Sequence, residues 1–261
     1  MSKLFGISLC VAVCFALQGL SSYVSAAPVV VLSVDFDADP SPTQSGFQGF
    51  GTPLNDGFLR SFTYPGLSTT YTQTGSVDVT LDVDSNETLQ GRDRDAIPEG
   101  GSFNQSDLYR DFIQHSVNNR YMGIAITGLL ANHVYDLKFW GYDDDVTNQP
   151  NKLNFIDYTS GSPAASGFIQ WGGGPVTSND QYSITLSGTS SATGTMFFQA
   201  HVFDGTEDPG SGTQDQIKIN ALQISTASIP EPSSVVIVVL ASPWFASRFR
   251  RRCGGKSSAK R

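Results

Sequence analysis

Apolar and polar positions alternate along much of the chain. Residues 77–83 show it most plainly: Val77, Val79, Leu81 and Val83 take one side, and Asp78, Thr80 and Asp82 the other. A side-chain period of two predicts a half-buried β-strand. Residues 29–36, a nearly continuous apolar run ending in Val34-Asp35-Phe36, predict a first strand. Residues 121–127 and 134–142 predict two more, joined by the loop 128–133. In the second of these, Tyr135, Leu137 and Phe139 share one face, while Asp136, Lys138, Trp140 and Tyr142 share the other. Further strands are predicted over 152–158, 167–171, 181–186, 195–203 and 216–224. In the last, Ile217 and Ile219 share a face before Leu222 and Ile224 take over, which predicts a β-bulge between Asn220 and Leu222. One helix is expected, capped by Ser106-Asp107, with Leu108, Tyr109, Phe112 and Ile113 as its apolar stripe up to about His115.

Clusters of Gly, Ser, Thr, Asn and Asp punctuate these segments at short intervals, and no internal repeat is present. About nine or ten short strands and one short helix within roughly 200 residues predict an all-β fold, a β-sandwich of the jelly-roll kind.

The two chain ends read differently. Lys3, the apolar residues 4–20 and the small residues that follow predict a secretory signal peptide over residues 1–26. The same stretch would also serve as a retained N-terminal anchor. Cys10 and Cys14 fall within it and Cys253 lies in the C-terminal tail, so the expected exported domain, residues 27–225, has no cysteine to pair. A linker, 226–232, carries Pro230-Glu231-Pro232 and leads into the apolar residues 233–249. About 17 helical residues reach ~26 Å, just short of a hydrocarbon core of ~30 Å. Arg248, Arg250, Arg251 and Arg252 stop the span, and the basic residues 250–261 are expected to stay in the cytoplasm. The β-branched run 235–239 also suits a buried strand.

Charge sharpens the division. Residues 28–228 hold 8 Lys and Arg against 23 Asp and Glu, a net charge of −15. Nucleic acid and anionic lipid are poor partners for such a surface, and divalent cations and neutral or basic surfaces better ones.

Pro230-Glu231-Pro232, the apolar span and the arginine cluster, in that order at the chain end, resemble the PEP-CTERM sorting signal of bacterial exported proteins. The resemblance implies secretion, transient membrane anchoring and processing by an exosortase, with delivery to the cell surface or extracellular matrix. Pro243 within the span and the residues beyond Arg252 depart from that pattern. Within the domain, Val34-Asp35-Phe36, Asp111-Phe112-Ile113, Ile126-Thr127-Gly128-Leu129, Tyr135-Asp136-Leu137 and residues 219–224 resemble galactose-binding-like sandwiches of the malectin and carbohydrate-binding-module sort. That resemblance implies a hairpin through residues 128–135, a closing strand beside the first strand, and a structural Ca²⁺ between the two. Asp35, Asp37 and Asp215 are the expected ligands.

Two acidic clusters suit a hard cation: Asp35, Asp37 and Asp39 leaving the first strand, and Asp143-Asp144-Asp145 after residue 142. Both also suit a solvated acidic loop. Gly91-Arg92-Asp93-Arg94-Asp95, expected to be a loop, alternates in sign. Arg92 and Arg94 offer a fork for ligand oxygens, or a local ion-pair network. Trp140, Tyr142 and Trp171 offer an aromatic platform for sugar rings, or core packing. Hydrolase and phosphate-binding motifs are lacking, and His115, His133 and His201 are scattered. The expectation is a non-enzymatic surface or matrix sandwich whose partner, if it has one, is polysaccharide or another matrix component. A surface carbohydrate-active enzyme and a structural protein without ligand are the alternatives.

Overall fold

Strict alternation becomes a strand where both neighbours complete its hydrogen bonds, and residues 77–82 have them. The computed structural model describes residues 27–226 other than 39–40, 52–56, 84–87, 116–120, 145–150, 172–174 and 203–215. Its strands are β1 Val30–Asp35, β2 Gln48–Gly49, β3 Leu59–Tyr64, β4 Val77–Asp82, β5 Leu89–Asp93, β6 Asp111–His115 and β7 Tyr121–Thr127. They continue with β8 Val134–Trp140, β9 Asn151–Asp157, β10 Ser166–Trp171, β11 Ser183–Thr189, β12 Met196–Val202, β13 Lys218–Ile219 and β14 Ala221–Thr226. One short helix, α1 Ser106–Arg110, precedes β6.

A five-stranded sheet runs β11-β8-β14-β1-β2, and a six-stranded sheet runs β10-β9-β12-β7-β4-β3. Their inner faces meet. Phe139 of β8 stacks on Phe155 of β9 at 4.5 Å between ring centroids and lies 5.4 Å from Phe198 of β12. Val77, Val79, Leu81, Tyr135, Leu137 and Phe139 are all buried, as their alternation predicts. The fold is an all-β sandwich. A third sheet, β13-β6-β5, extends it.

β1 pairs antiparallel with β14, with Asp35 opposite Ala221. The first and last strands of the sandwich are therefore neighbours, as expected. The bulge expected near residue 221 is a larger event. Asn220 separates β13, which pairs with β6, from β14, which pairs with β1 and β8. The chain changes sheet there, so Ile219 and Leu222 face parts of the core belonging to different sheets.

Three expectations are corrected. The helix ends at Arg110, and Phe112, Ile113 and His115 lie on β6, where all five residues are buried between β5 and β13. Hydrogen bonds from two flanking strands outweigh a helical stripe of only two turns. Residues 91–93, read as loop, belong to β5 for the same reason. Residues 128–133 do not close a hairpin: β7 and β8 lie in opposite sheets, and the segment crosses between them. Gly128 makes the crossing with φ +89, where a Cβ would stand 2.4 Å from the Ser76 carbonyl oxygen. The Tyr135 hydroxyl ties the segment down, donating to Tyr71 O at 2.6 Å and accepting from Leu130 N at 3.0 Å.

The expected signal peptide, the Pro230-Glu231-Pro232 motif, the apolar span, the arginines at 248 and 250–252, and Asp39, Asp145 and Asp215 lie outside the described residues. Among the described residues no helix is long and apolar enough to cross a membrane.

Candidate functional site

β1 sends Leu32, Val34 and Phe36 into the core, so Ser33, Asp35 and Asp37 point to the other face of the five-stranded sheet. That face is not open at this end. Residues 41–51 fold back over it, with β2 pairing parallel to β1. The result is carboxylates that leave the sheet outward yet end up buried, Asp35 at 0 % and Asp37 at 4 % exposure.

Asp37 organises the covering loop. Its Oδ2 accepts from the Thr43 hydroxyl at 2.7 Å and its Oδ1 from Gly51 N at 2.5 Å. Gly49 lies so close that a Cβ there would be 2.8 Å from both Asp37 Oδ2 and Thr43 Oγ1. Asp35 has one such tie, Oδ2 accepting from Gln44 N at 2.6 Å, while its Oδ1 is buried without a partner. Gln44 in turn accepts from Leu108 N at 3.3 Å, joining the loop to α1.

Asp111, the residue at which α1 turns into β6, completes the cluster. It is 0 % exposed, and neither carboxylate oxygen has a partner. Burial raises its carboxyl to about 9, with the charges of Asp35 and Asp37 adding to the rise. Burial likewise raises Asp35 to about 8; the Gln44 N–H opposes the shift, and the charges of Asp37 and Asp107 add to it. The buried Ser41 hydroxyl lies close enough to Asp111 to oppose that rise, although it is outside hydrogen-bond geometry to any group. Asn220 fixes Asp111 from behind: its Nδ2 donates to the Asp111 carbonyl at 2.7 Å, and its Oδ1 accepts from Tyr142 N at 2.6 Å.

A buried carboxylate without a partner is costly unless protonated or met by a cation. Three orphaned oxygens on two buried carboxylates whose charges interact suit a hard cation, which takes six to eight oxygens, many of them carbonyl or water. No three Asp, Glu, His or Cys side chains among the described residues form a ready-made cage. A cation here would therefore draw on Asp35 and Asp111 and fill its shell with backbone, hydroxyl or water oxygens. Of the expected ligands, Asp35 fits this role. Asp37 already uses both oxygens to hold the loop, and Asp111 was missed because its residue pattern reads as helix.

The second acidic cluster is occupied by side chains. Asp143 is 1 % exposed and forms an ion pair with Lys218, itself buried. Arg94 Nε lies 3.2 Å from Asp143 Oδ1 and 4.0 Å from Asp144 Oδ1. Arg94 is thus part of an ion-pair network and not a free fork. Arg92 is exposed and donates to Gln90 Oε1 at 2.9 Å.

The expected aromatic platform is corrected. Trp140 is 2 % exposed; its Nε1 donates to Asn179 O at 2.8 Å, and Phe47 packs on it at 5.8 Å. Tyr142 stacks on Tyr182 at 4.8 Å, and burial pushes its hydroxyl up to about 12. Trp171 is also buried. The loop containing Asn179 and Tyr182 closes over a face that alternation assigns to solvent, so these rings have no face left for a sugar. His115 is buried in β6, and His133 lies in the 128–133 crossing with its ring 5.0 Å from that of Tyr135.

The fold and site define a class: an all-β sandwich whose first and last strands meet beside a buried carboxylate pair. No family model matches the chain. None of the curated proteins matches it. Among solved structures it is similar to the CBM22-1 xylan-binding domain of Paenibacillus barcinonensis Xyn10C, with 11% identity, TM-score 0.32, and coverage of 79% of this chain and 99% of that one. It is similar also to the CBM36-1 domain of a multidomain xylanase from the hindgut metagenome of Trinervitermes trinervoides, with 16% identity, TM-score 0.30, and coverage of 55% and 100%. The K3 adhesin domain of Lys-gingipain from Porphyromonas gingivalis follows with 15% identity, TM-score 0.28, and coverage of 53% and 91%. At such scores the chemistry of this chain rests on its own residues.

Proposed function

We propose that this protein is an exported, non-enzymatic sandwich of the cell surface or extracellular matrix that binds polysaccharide and is braced by Ca²⁺ at Asp35 and Asp111. The observation that carries the cation is the set of three orphaned carboxylate oxygens on those two residues. A domain charge of −15 supports a cation and a neutral partner over nucleic acid. The tail supports export, membrane anchoring through residues 233–249, and release by an exosortase acting near Pro230-Glu231-Pro232. β14 ends at Thr226, and in the sequence three residues separate it from Pro230. A raised carboxyl pair would also suit acid–base catalysis by a carbohydrate-active enzyme. Complete burial of both groups, which closes them to a polymeric substrate, argues against that alternative.

Thermal melting of the purified full chain tests the cation. Ligand that binds only the folded state stabilises it by about 2.7 kcal/mol at a hundred times the dissociation constant. Millimolar Ca²⁺ is expected to raise Tm by several degrees over chelator, and Asp111→Asn to abolish that difference. Equal melting of the wild type in Ca²⁺ and in chelator would remove the cation from the proposal.

A further inference from the structure

The outer faces of the two sheets differ in kind. On the five-stranded sheet the outward positions of one row are Thr185, Lys138, Gln223 and Ser33, and among the described residues no aromatic ring stands exposed there. On the six-stranded sheet, strand register aligns Phe168 with Asn154, Asn154 with His201, and His201 with Tyr121. These four residues form one row across β10, β9, β12 and β7. Its two ends are aromatic and open, Phe168 at 54 % and Tyr121 at 45 % exposure, and its middle is an amide and an imidazole.

We infer that this row is the polysaccharide site, receiving an extended neutral glycan across the four strands with Phe168 and Tyr121 as stacking rings and Asn154 and His201 as hydrogen-bonding groups. The inference rests on the polysaccharide reading above and supplies the surface that Trp140 and Tyr142 do not.

The side chains are held in place for such a role. Tyr121 and His201 lie 5.8 Å apart between ring centroids at 38°, and Gln199 Oε1 sits 3.1 Å from His201 Nε2. Lys152 Nζ covers one face of the Phe168 ring at 3.8 Å. Aromatic rings with few torsions give contact area at low entropic cost, and sugars present apolar C–H faces to them while their hydroxyls bond to amides. Three strand spacings of about 4.8 Å place Phe168 about 14 Å from Tyr121, the reach of an oligosaccharide and not of one ring. Chemistry fixes the class of glycan. The row has no carboxylate for a cationic chain, and the domain's charge of −15 repels an anionic one. The same repulsion disfavours a second copy of the chain as the occupant.

Affinity electrophoresis of the full chain tests the site, with hydroxyethyl cellulose, a soluble β-mannan and a soluble xylan as neutral probes and alginate as the anionic one. At least one neutral polymer is expected to retard the wild type, and alginate to leave it unretarded. Tyr121→Ala with Phe168→Ala should weaken retardation at least tenfold with Tm unchanged, because both rings are exposed. Retardation of wild type and double variant alike would overturn this face as the site while leaving polysaccharide binding standing. Preferential retardation by alginate would overturn the neutral class. No retardation by any polymer would overturn both the site and the polysaccharide reading.

Discussion

Asp35 and Asp111 carry the sharpest consequence at the scale of single residues. Both are raised in the folded state, by burial first and then by acidic neighbours, from an unfolded value of about 4. A carboxyl with a raised folded pKa binds its proton more tightly when folded. Its stabilising contribution is complete below the unfolded pKa and is lost as pH rises through about 8 for Asp35 and about 9 for Asp111. In chelator, Tm is expected to fall as pH goes from 5 to 9, and Asp111→Asn should flatten the fall and melt higher than the wild type at the alkaline end. Melting curves in chelator across that range check it; parallel slopes for wild type and variant would show that Asp111 does not titrate as a buried acid.

At the scale of elements, the decisive place is the break between β13 and β14. Asn220 is buried and serves both sides of it, through Tyr142 N and the Asp111 carbonyl. Removing the amide leaves two buried backbone groups unpaired, each costing about 1–3 kcal/mol. Asn220→Ala is therefore expected to lower stability by about 2–6 kcal/mol in denaturant unfolding, more than a typical surface change. A loss under about 0.5 kcal/mol would mean that water replaces the amide. The face switch after Ile219 signals an irregularity in the sequence. That it transfers the chain between sheets depends on β6, a partner distant in sequence.

For the whole molecule, the contrast is between an acidic sandwich and a basic tail, with Arg248 and residues 250–252 behind the apolar span. Replacing Pro230, Glu231 and Pro232 with alanine is expected to leave export intact and to block C-terminal processing. Mass measurement of the chain recovered from the producing cells checks this, and an unchanged mature C-terminus would exclude exosortase processing at the motif. The sandwich should melt identically in that variant, since β14 ends before the motif.

Periodicity alone determined the sandwich. Residues 77–83, 121–127 and the Tyr135–Leu137–Phe139 face alternate because each strand buries one side, and that signal is local. The acidic balance is local too. Tertiary structure decided what covers each outer face. Trp140 and Tyr142 stand on the face that alternation gives to solvent, yet the 41–51 loop and the loop around Asn179 and Tyr182 close over them. It also decided the carboxylate pair: Asp35 and Asp111 are far apart in the chain, and Asp111 sits in a helical pattern that two flanking strands convert into β6. The row from Phe168 to Tyr121 exists only through the register of four strands, none of which holds more than one of its residues. Alternation shows which side of a strand a residue takes. Register and long-range covering, set by the packing of the whole chain, determine which residues it meets there.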